Sequence, residues 1–182
     1  KYAKKVFDRS KDMASVILNM SGYIRAPSTA DKKEVDINER INAAIEIAIL
    51  ATYSDDIHLE KSFSSLPPIF AKSEEIQQIF LNLLTNAVQA MEGKGKLIIS
   101  TQAQNGSVVA KISDTGPGIP KKYLTKIYDP FFTTKEQGKG TGLGLGLNIV
   151  HQLVLKYGGH IDVTSKMGKG TTFSITFPAQ LV

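Results

Sequence analysis

The chain of 182 residues contains no cysteine and no tryptophan, and only 8% of it is aromatic. Without cysteine there is no disulfide staple and no thiolate zinc centre, and the composition fits a reducing compartment. Long apolar runs are missing too. The best candidate, Ala43 to Ala51, is interrupted by Glu46 and falls short of the roughly 18 to 20 residues that span a bilayer. The segment is therefore expected to be soluble, with no membrane contact of its own. Lys1, Lys4 and Lys5 make its start basic, but an apolar centre and a small-residue cleavage site are absent, so no secretory signal is expected. Any anchor of a parent protein would lie outside this segment.

What is present is a chain with 42% hydrophobic residues, long enough for one core and an appended element and short for two full domains. A net charge of +5 invites a nucleic-acid partner. However, Lys121, Lys122, Lys126, Lys135 and Lys139 cluster beside glycine motifs, where a triphosphate accounts for them, and no recognition helix or stacking pattern accompanies the charge. No nucleic-acid partner is expected.

Val6, Met13, Val16, Ile17, Met20 and Ile24 form the apolar stripe of a predicted helix over Tyr2 to Arg25. Pro27, Ser28 and Thr29 end it, which marks a boundary near residues 26–34. Asp36 and Asn38 offer caps for a helix to about Ala51, and Ile57 to Phe63 alternates like a strand. Ser73 is expected to cap a helix that continues to Met91. Leu97 to Gln104 and Val108 to Ser113 are predicted strands joined by an Asn105-Gly106 hairpin turn. A short helix is expected near Pro120 to Tyr128 and a longer one from Leu147 to Tyr157, before strands at His160 to Ser165 and Thr171 to Phe177. Hairpins mixed with helices predict an α/β fold, a two-layer sandwich with a mixed sheet.

Three features carry chemistry. Asn82 and Asn86 lie four residues apart, on one face of the predicted Ser73 to Met91 helix. Alone, such a pair would cap or bridge local backbone. Beside phosphates, an amide oxygen can instead ligate Mg²⁺ while the ion keeps waters. Asp114 ends a predicted strand and precedes Thr115-Gly116-Pro117-Gly118, so its carboxylate can meet a flat base that no side chain blocks; alone, an Asp before Thr-Gly is a common turn former. Gly138 to Gly146 is too glycine-rich to hold one conformation without a ligand and is expected to be a mobile lid. Amides near the lid's helical end should face phosphates.

In order, Gln78 to Met91, Asp114 to Pro120, Asp129 to Lys135, Gly138 to Leu145 and Gly168 to Phe173 resemble the ATP-binding domain of sensor histidine kinases. Their wider superfamily includes gyrase, a heat-shock chaperone and mismatch-repair ATPases. The likeness runs from about Val35 to Pro178 and implies the Bergerat-type ATP-binding fold, a mixed sheet covered by helices and preceded by one amphipathic helix. It divides the chain into part of a dimerisation hairpin (1–26), a linker (27–34) and the ATP-binding domain (35–182).

The resemblance implies ATP or ADP with Mg²⁺. Asn86 would be the metal ligand, with Asn82 and Lys135 beside it in phosphoryl transfer. Asn82 stands where members that hydrolyse ATP with water carry glutamate, and an amide cannot serve as general base at neutral pH. Asp114 would accept a hydrogen bond from the adenine amino group, directly or nearly so. Gly116 and Gly118 would let backbone approach the ring, and Ala90 and Ile119 would also belong to the nucleotide site. Thr171 is either part of the floor beneath the base or an ordinary strand threonine. Gly140, Thr141, Gly142, Leu143, Gly144 and Leu145 would form the lid, in a register taken from Gly140 or from Gly142, because an extra Gly-Leu precedes Asn148. Phe131 and Phe132 would latch that lid, with one of them also plugging the core.

His58, His151 and His160 lack the His-Glu or His-Asp helix context of the family's phospho-acceptor. The implied reaction therefore transfers the γ-phosphoryl to a histidine outside the chain. Implied partners are the histidine-bearing dimerisation helix, a response regulator and, in the full protein, a second copy. The implied location is cytoplasmic. The alternative is a nucleotide-gated conformational ATPase module of the same superfamily.

Overall fold

The computed structural model describes residues 32–52, 56–134 and 143–179, with the backbone alone at 50–52. The predicted helix at 2–25 lies outside these residues, as do Lys135, Gly140, Thr141 and Gly142.

The order is β1 (Lys33–Val35), α1 (Ile37–Thr52), β2 (Asp56–Phe63), β3 (Ile69–Ala71), α2 (Ser73–Ala90), β4 (Lys94–Gln104) and β5 (Ser107–Asp114). A 3-10 turn at Lys121–Tyr123 follows, then α3 (Gly146–Lys156), β6 (His160–Lys166) and β7 (Gly170–Pro178). Five strands form a mixed sheet in the order β2-β4-β5-β7-β6, in which only the β2–β4 pair is parallel. β1 and β3 make a separate antiparallel pair. No described helix is long and apolar enough to cross a membrane.

Alternation along the strands puts Leu97, Ile99, Val108, Ala110, Ile112, Phe173, Ile175 and Phe177 on one buried face. Helix α2 lays Ile76, Ile79, Phe80, Leu83, Leu84, Ala87 and Val88 into the same core, and α1 adds Ile37, Ile41, Ala44, Ile45 and Ala48. The opposite face is open, with Ile98 and Lys111 exposed. A sheet apolar on one side and helices apolar along one stripe give the two-layer sandwich. Each fully buried large side chain contributes roughly 1.5–3 kcal/mol.

Local signals account for most boundaries. The Asp36 carboxylate accepts hydrogen bonds from the backbone N–H of Asn38 (2.7 Å) and Glu39 (3.3 Å), so it caps α1. Asn105 and Gly106 take positive φ (49° and 72°), as a tight hairpin turn requires.

Four expectations need correction. Lys72, not Ser73, is the N-cap of α2, and no side chain caps that end. The helix expected over Pro120 to Tyr128 is only the 3-10 turn, with Leu124 to Phe131 held in successive turns. β1 and β3 were not expected, and β1 takes in Lys33 and Glu34 of the predicted linker. β4 begins at Lys94 because its parallel register with β2 pairs Asp56 with Lys94.

The start of α2 is fixed from a distance. Tyr157, the C-cap of α3, accepts the Lys72 N–H on its hydroxyl (3.0 Å) and donates to Glu75 (2.6 Å), while Lys156 binds the same carboxylate at 2.7 and 2.8 Å. Burial pushes the Glu75 carboxyl up, but hydrogen bonds from Lys156 and Tyr157 outweigh it and hold the group below its ordinary 4.5. A carboxyl that is more acidic folded than unfolded stabilises above the unfolded value and loses that contribution as pH falls through the folded one. Glu75→Gln should therefore cost about 1 kcal/mol at pH 7, a deficit that shrinks below pH 4.5 in urea denaturation followed across pH.

Candidate functional site: a buried acid at the strand ends

The buried face of the sheet changes character at one end. The rows Ile161–Ile175–Ala110 and Val163–Phe173–Ile112 are apolar, but the next row is Ser165–Thr171–Asp114, paired in register across β6, β7 and β5. Asp114 thus occupies the last core-facing position of β5 and is only 8% exposed. Its carboxylate accepts the Gly116 N–H at 2.8 Å. Burial pushes this carboxyl above its ordinary 3.8, offset in part by the backbone N–H groups of Gly116 and Thr171. A buried acid with so few donors suits a ligand that brings another.

The surrounding backbone leaves the carboxylate accessible. A Cβ at Gly116 would stand 2.9 Å from the Asp114 oxygen and 3.4 Å from Ala90, filling the space between them. Gly118 has φ 78°, and a Cβ there would overlap the Lys166 carbonyl oxygen. Its loop is stitched to the β6–β7 hairpin by Gly168 N–H to Pro117 O (2.8 Å) and Ile119 N–H to Ser165 Oγ (2.7 Å). The structure so brings together Ala90, Asp114, Gly116, Gly118, Ile119 and Thr171.

Asn82 and Asn86 face the N-terminus of α3. Asn82 is buried and donates its amide N–H to the Gly146 carbonyl at 3.3 Å. A Cβ on Gly146 would lie 3.7 Å from the Asn86 amide nitrogen and 3.9 Å from the Asn82 side chain. Among the described residues Asn86 makes no side-chain hydrogen bond, so its amide is available to a ligand. No group of three or more His, Cys, Asp or Glu able to hold a metal occurs among the described residues. The Asn86 amide oxygen is a neutral donor of the kind a hard cation that keeps its waters can use.

Of the residues expected to form a lid, Leu143, Gly144 and Leu145 are described. Leu143 is 41% exposed and Leu145 8%. Gly144 (φ 67°) lies against the backbone of Phe131 and Phe132, where a Cβ would come within 2.6 Å of the Phe132 oxygen. Phe132 packs on the core and against Tyr123, with ring centroids 5.5 Å apart, whereas Phe131 is 71% exposed at φ 65°. One of the two aromatics plugs the core, as expected.

Each histidine is engaged structurally. His58 is an exposed residue of β2 beside Glu60 (3.3 Å), and His160 lies beside Asp162 (3.1 Å). His151 in α3 stacks on Tyr128 at 4.9 Å. The Tyr128 hydroxyl, buried without a partner among the described residues, is pushed up to about 12 by burial and by the Asp162 charge. Sequence reasoning missed Ser165, because one strand serine carries no signal until its partners are known.

Residues 71–181 match the family described as Histidine kinase-, DNA gyrase B-, and HSP90-like ATPase, and the chain belongs to it. Within that family it is a catalytic ATP-binding domain of the sensor histidine kinase kind. It is 33% identical over 178 residues to sensor histidine kinase ZraS of Escherichia coli K12, covering 97% of this chain and 37% of that protein. It is 37% identical over 144 residues to signal transduction histidine-protein kinase AtoS of the same strain, covering 76% and 23% respectively. The solved structure of full-length ShkA in complex with AMPPNP superposes with a TM-score of 0.77 at 27% identity, over 97% of this chain and 38% of that one. Mycobacterial sensor histidine kinase MprB gives 0.71 at 28%, over 83% and 99%. The chain thus spans 37% of ZraS and 23% of AtoS.

Proposed function

We propose that the chain binds ATP with Mg²⁺ and transfers the γ-phosphoryl group to a histidine carried outside it, as the catalytic part of a two-component sensor kinase. The observation that carries this reading is the buried Asp114 carboxylate closing an otherwise apolar file, with glycines and Ala90 beside it. Its acceptor oxygens match an adenine amino group, and guanine would set a carbonyl against them. The likeness to a structure solved with AMPPNP supports the same ligand.

Asn86 would hold Mg²⁺, which supplies charge neutralisation on the phosphates. Asn82 orients α3 through its bond to Gly146 and has no basic group with which to activate water. Lys135 and the residues 140–142 are proposed to act at the phosphates on family likeness alone, with the lid register read from Gly140 or from Gly142. The remaining partners, a histidine-bearing helix, a response regulator and a second copy, rest on the same likeness, as do the division of the chain at 26–34 and a cytoplasmic setting.

The test is labelled ATP supplied to the chain with and without the parent protein's acceptor hairpin. Acid-labile phosphate should form on the added hairpin, none should form on His58, His151 or His160, and ATP hydrolysis by the chain alone should be slow. Rapid turnover without an acceptor would instead favour a nucleotide-gated ATPase.

A further inference from the structure

Ser165 has three contacts and one hydrogen. Its Oγ accepts the Ile119 N–H (2.7 Å), lies 3.0 Å from the Gly170 carbonyl oxygen and sits 2.9 Å from Thr171 Oγ1. A hydroxyl offers one donor and two lone pairs. The Gly170 carbonyl can only accept, so it takes the serine hydrogen, and Ile119 fills one lone pair. The contact with Thr171 is then the threonine O–H donating into the second lone pair. Thr171, cross-strand neighbour of Asp114, spends its only hydrogen on Ser165 and keeps nothing but lone pairs for anything beside it.

We infer that Ser165 is a specificity-determining positioning residue: by consuming the Thr171 hydrogen it makes the row beside Asp114 accept only. An acceptor-only pair, carboxylate and hydroxyl, favours a base edge that presents an amino group and disfavours one that presents a carbonyl. The inference rests on the nucleotide reading above and deepens it, because base selection is shared between Asp114 and a hydroxyl whose polarity is set from the next strand. Without the serine hydroxyl, Thr171 is free to turn its hydrogen outward and donate to a carbonyl.

The experiment measures calorimetric affinities for ATP and for inosine triphosphate, which carries a carbonyl where adenine has its amino group. The native chain, Ser165→Ala and Ser165→Thr are compared. Ser165→Ala should narrow the preference for ATP by about tenfold, the worth of one hydrogen bond made or lost in a dry site. Ser165→Thr, which keeps the hydroxyl, should retain the native ratio. Ser165→Cys, near serine in size but a poor hydrogen-bonding partner, carries the same test if the alanine variant does not fold. A purely structural role would weaken both nucleotides alike. An unchanged ratio in Ser165→Ala or Ser165→Cys, or a Ser165→Thr ratio as narrow as theirs, would overturn the inference. Failure of the native chain to bind ATP would overturn the functional reading itself, which is a different result.

Discussion

Asp114→Asn is expected to weaken ATP binding by about 1–3 kcal/mol, roughly tenfold to a hundredfold, while leaving the empty domain at least as stable. The amide oxygen can still accept the Gly116 N–H, but its NH₂ would then face the adenine amino group, donor against donor. The empty domain behaves differently because burial disfavours the charge, as the raised pKa records. Proton uptake has opposite consequences in the two states. The folded acid binds a proton more readily than the unfolded one, so this group's contribution to stability increases as pH falls from the raised value toward 3.8. Over the same window the carboxylate proposed to receive adenine is lost to protonation, and affinity is expected to fall. Calorimetric titrations and thermal melts across pH should show both trends in the difference between the native chain and Asp114→Asn, which cancels groups common to both, such as Glu75. Equal ATP affinity for the two proteins would remove Asp114 from the site. A variant that keeps or gains stability as it loses affinity is what a buried functional charge predicts.

The elements legible in the sequence were those whose signal is local. The file Val108–Ala110–Ile112 announces β5 by alternation, and Asn105-Gly106 announces its turn by backbone chemistry. Asp114 was legible by an equally local signal, a carboxylate at a strand end followed at once by Thr115-Gly116-Pro117-Gly118. What escaped is fixed by contacts distant in sequence. β1 and β3 are too short to show a period and exist because they pair with each other. Lys72 rather than Ser73 heads α2 because its carbonyl accepts the Glu75 and Ile76 N–H groups, while Tyr157, far along the chain, holds its own N–H. The turns after Pro120 give way before a helix can propagate, since Phe132 is drawn into the core and Phe131 is left outside at positive φ. Ser165 becomes meaningful only when β6 meets β7 and the Gly118 loop meets both. Sequence pattern therefore found the groups that would touch a ligand and missed one that positions them.

Gly170 should be the least replaceable of the described glycines, and Gly170→Ala is expected to cost about 2–4 kcal/mol of stability. Its φ is 101°, and a Cβ there would overlap the Asp114 carbonyl oxygen while standing 2.8 Å from the carbonyl carbon and 3.0 Å from Thr115 Cα. None of these atoms is the free end of a side chain, so relief requires β5 and β7 to part at the row that carries Asp114 and Thr171. Gly168 is the matched control. It has φ 70°, and a Cβ there would meet nothing within 4 Å, so Gly168→Ala should carry backbone strain alone, about 1 kcal/mol. Urea midpoints of the two variants separate strain from collision. ATP titrations add a second reading, because moving the Asp114 carbonyl also moves its carboxylate, and Gly170→Ala should lose affinity at temperatures where it is still folded. Equal losses of stability in the two variants would mean that the strands part without resistance, and the end of β5 would then not be the rigid platform that recognition of a flat base demands.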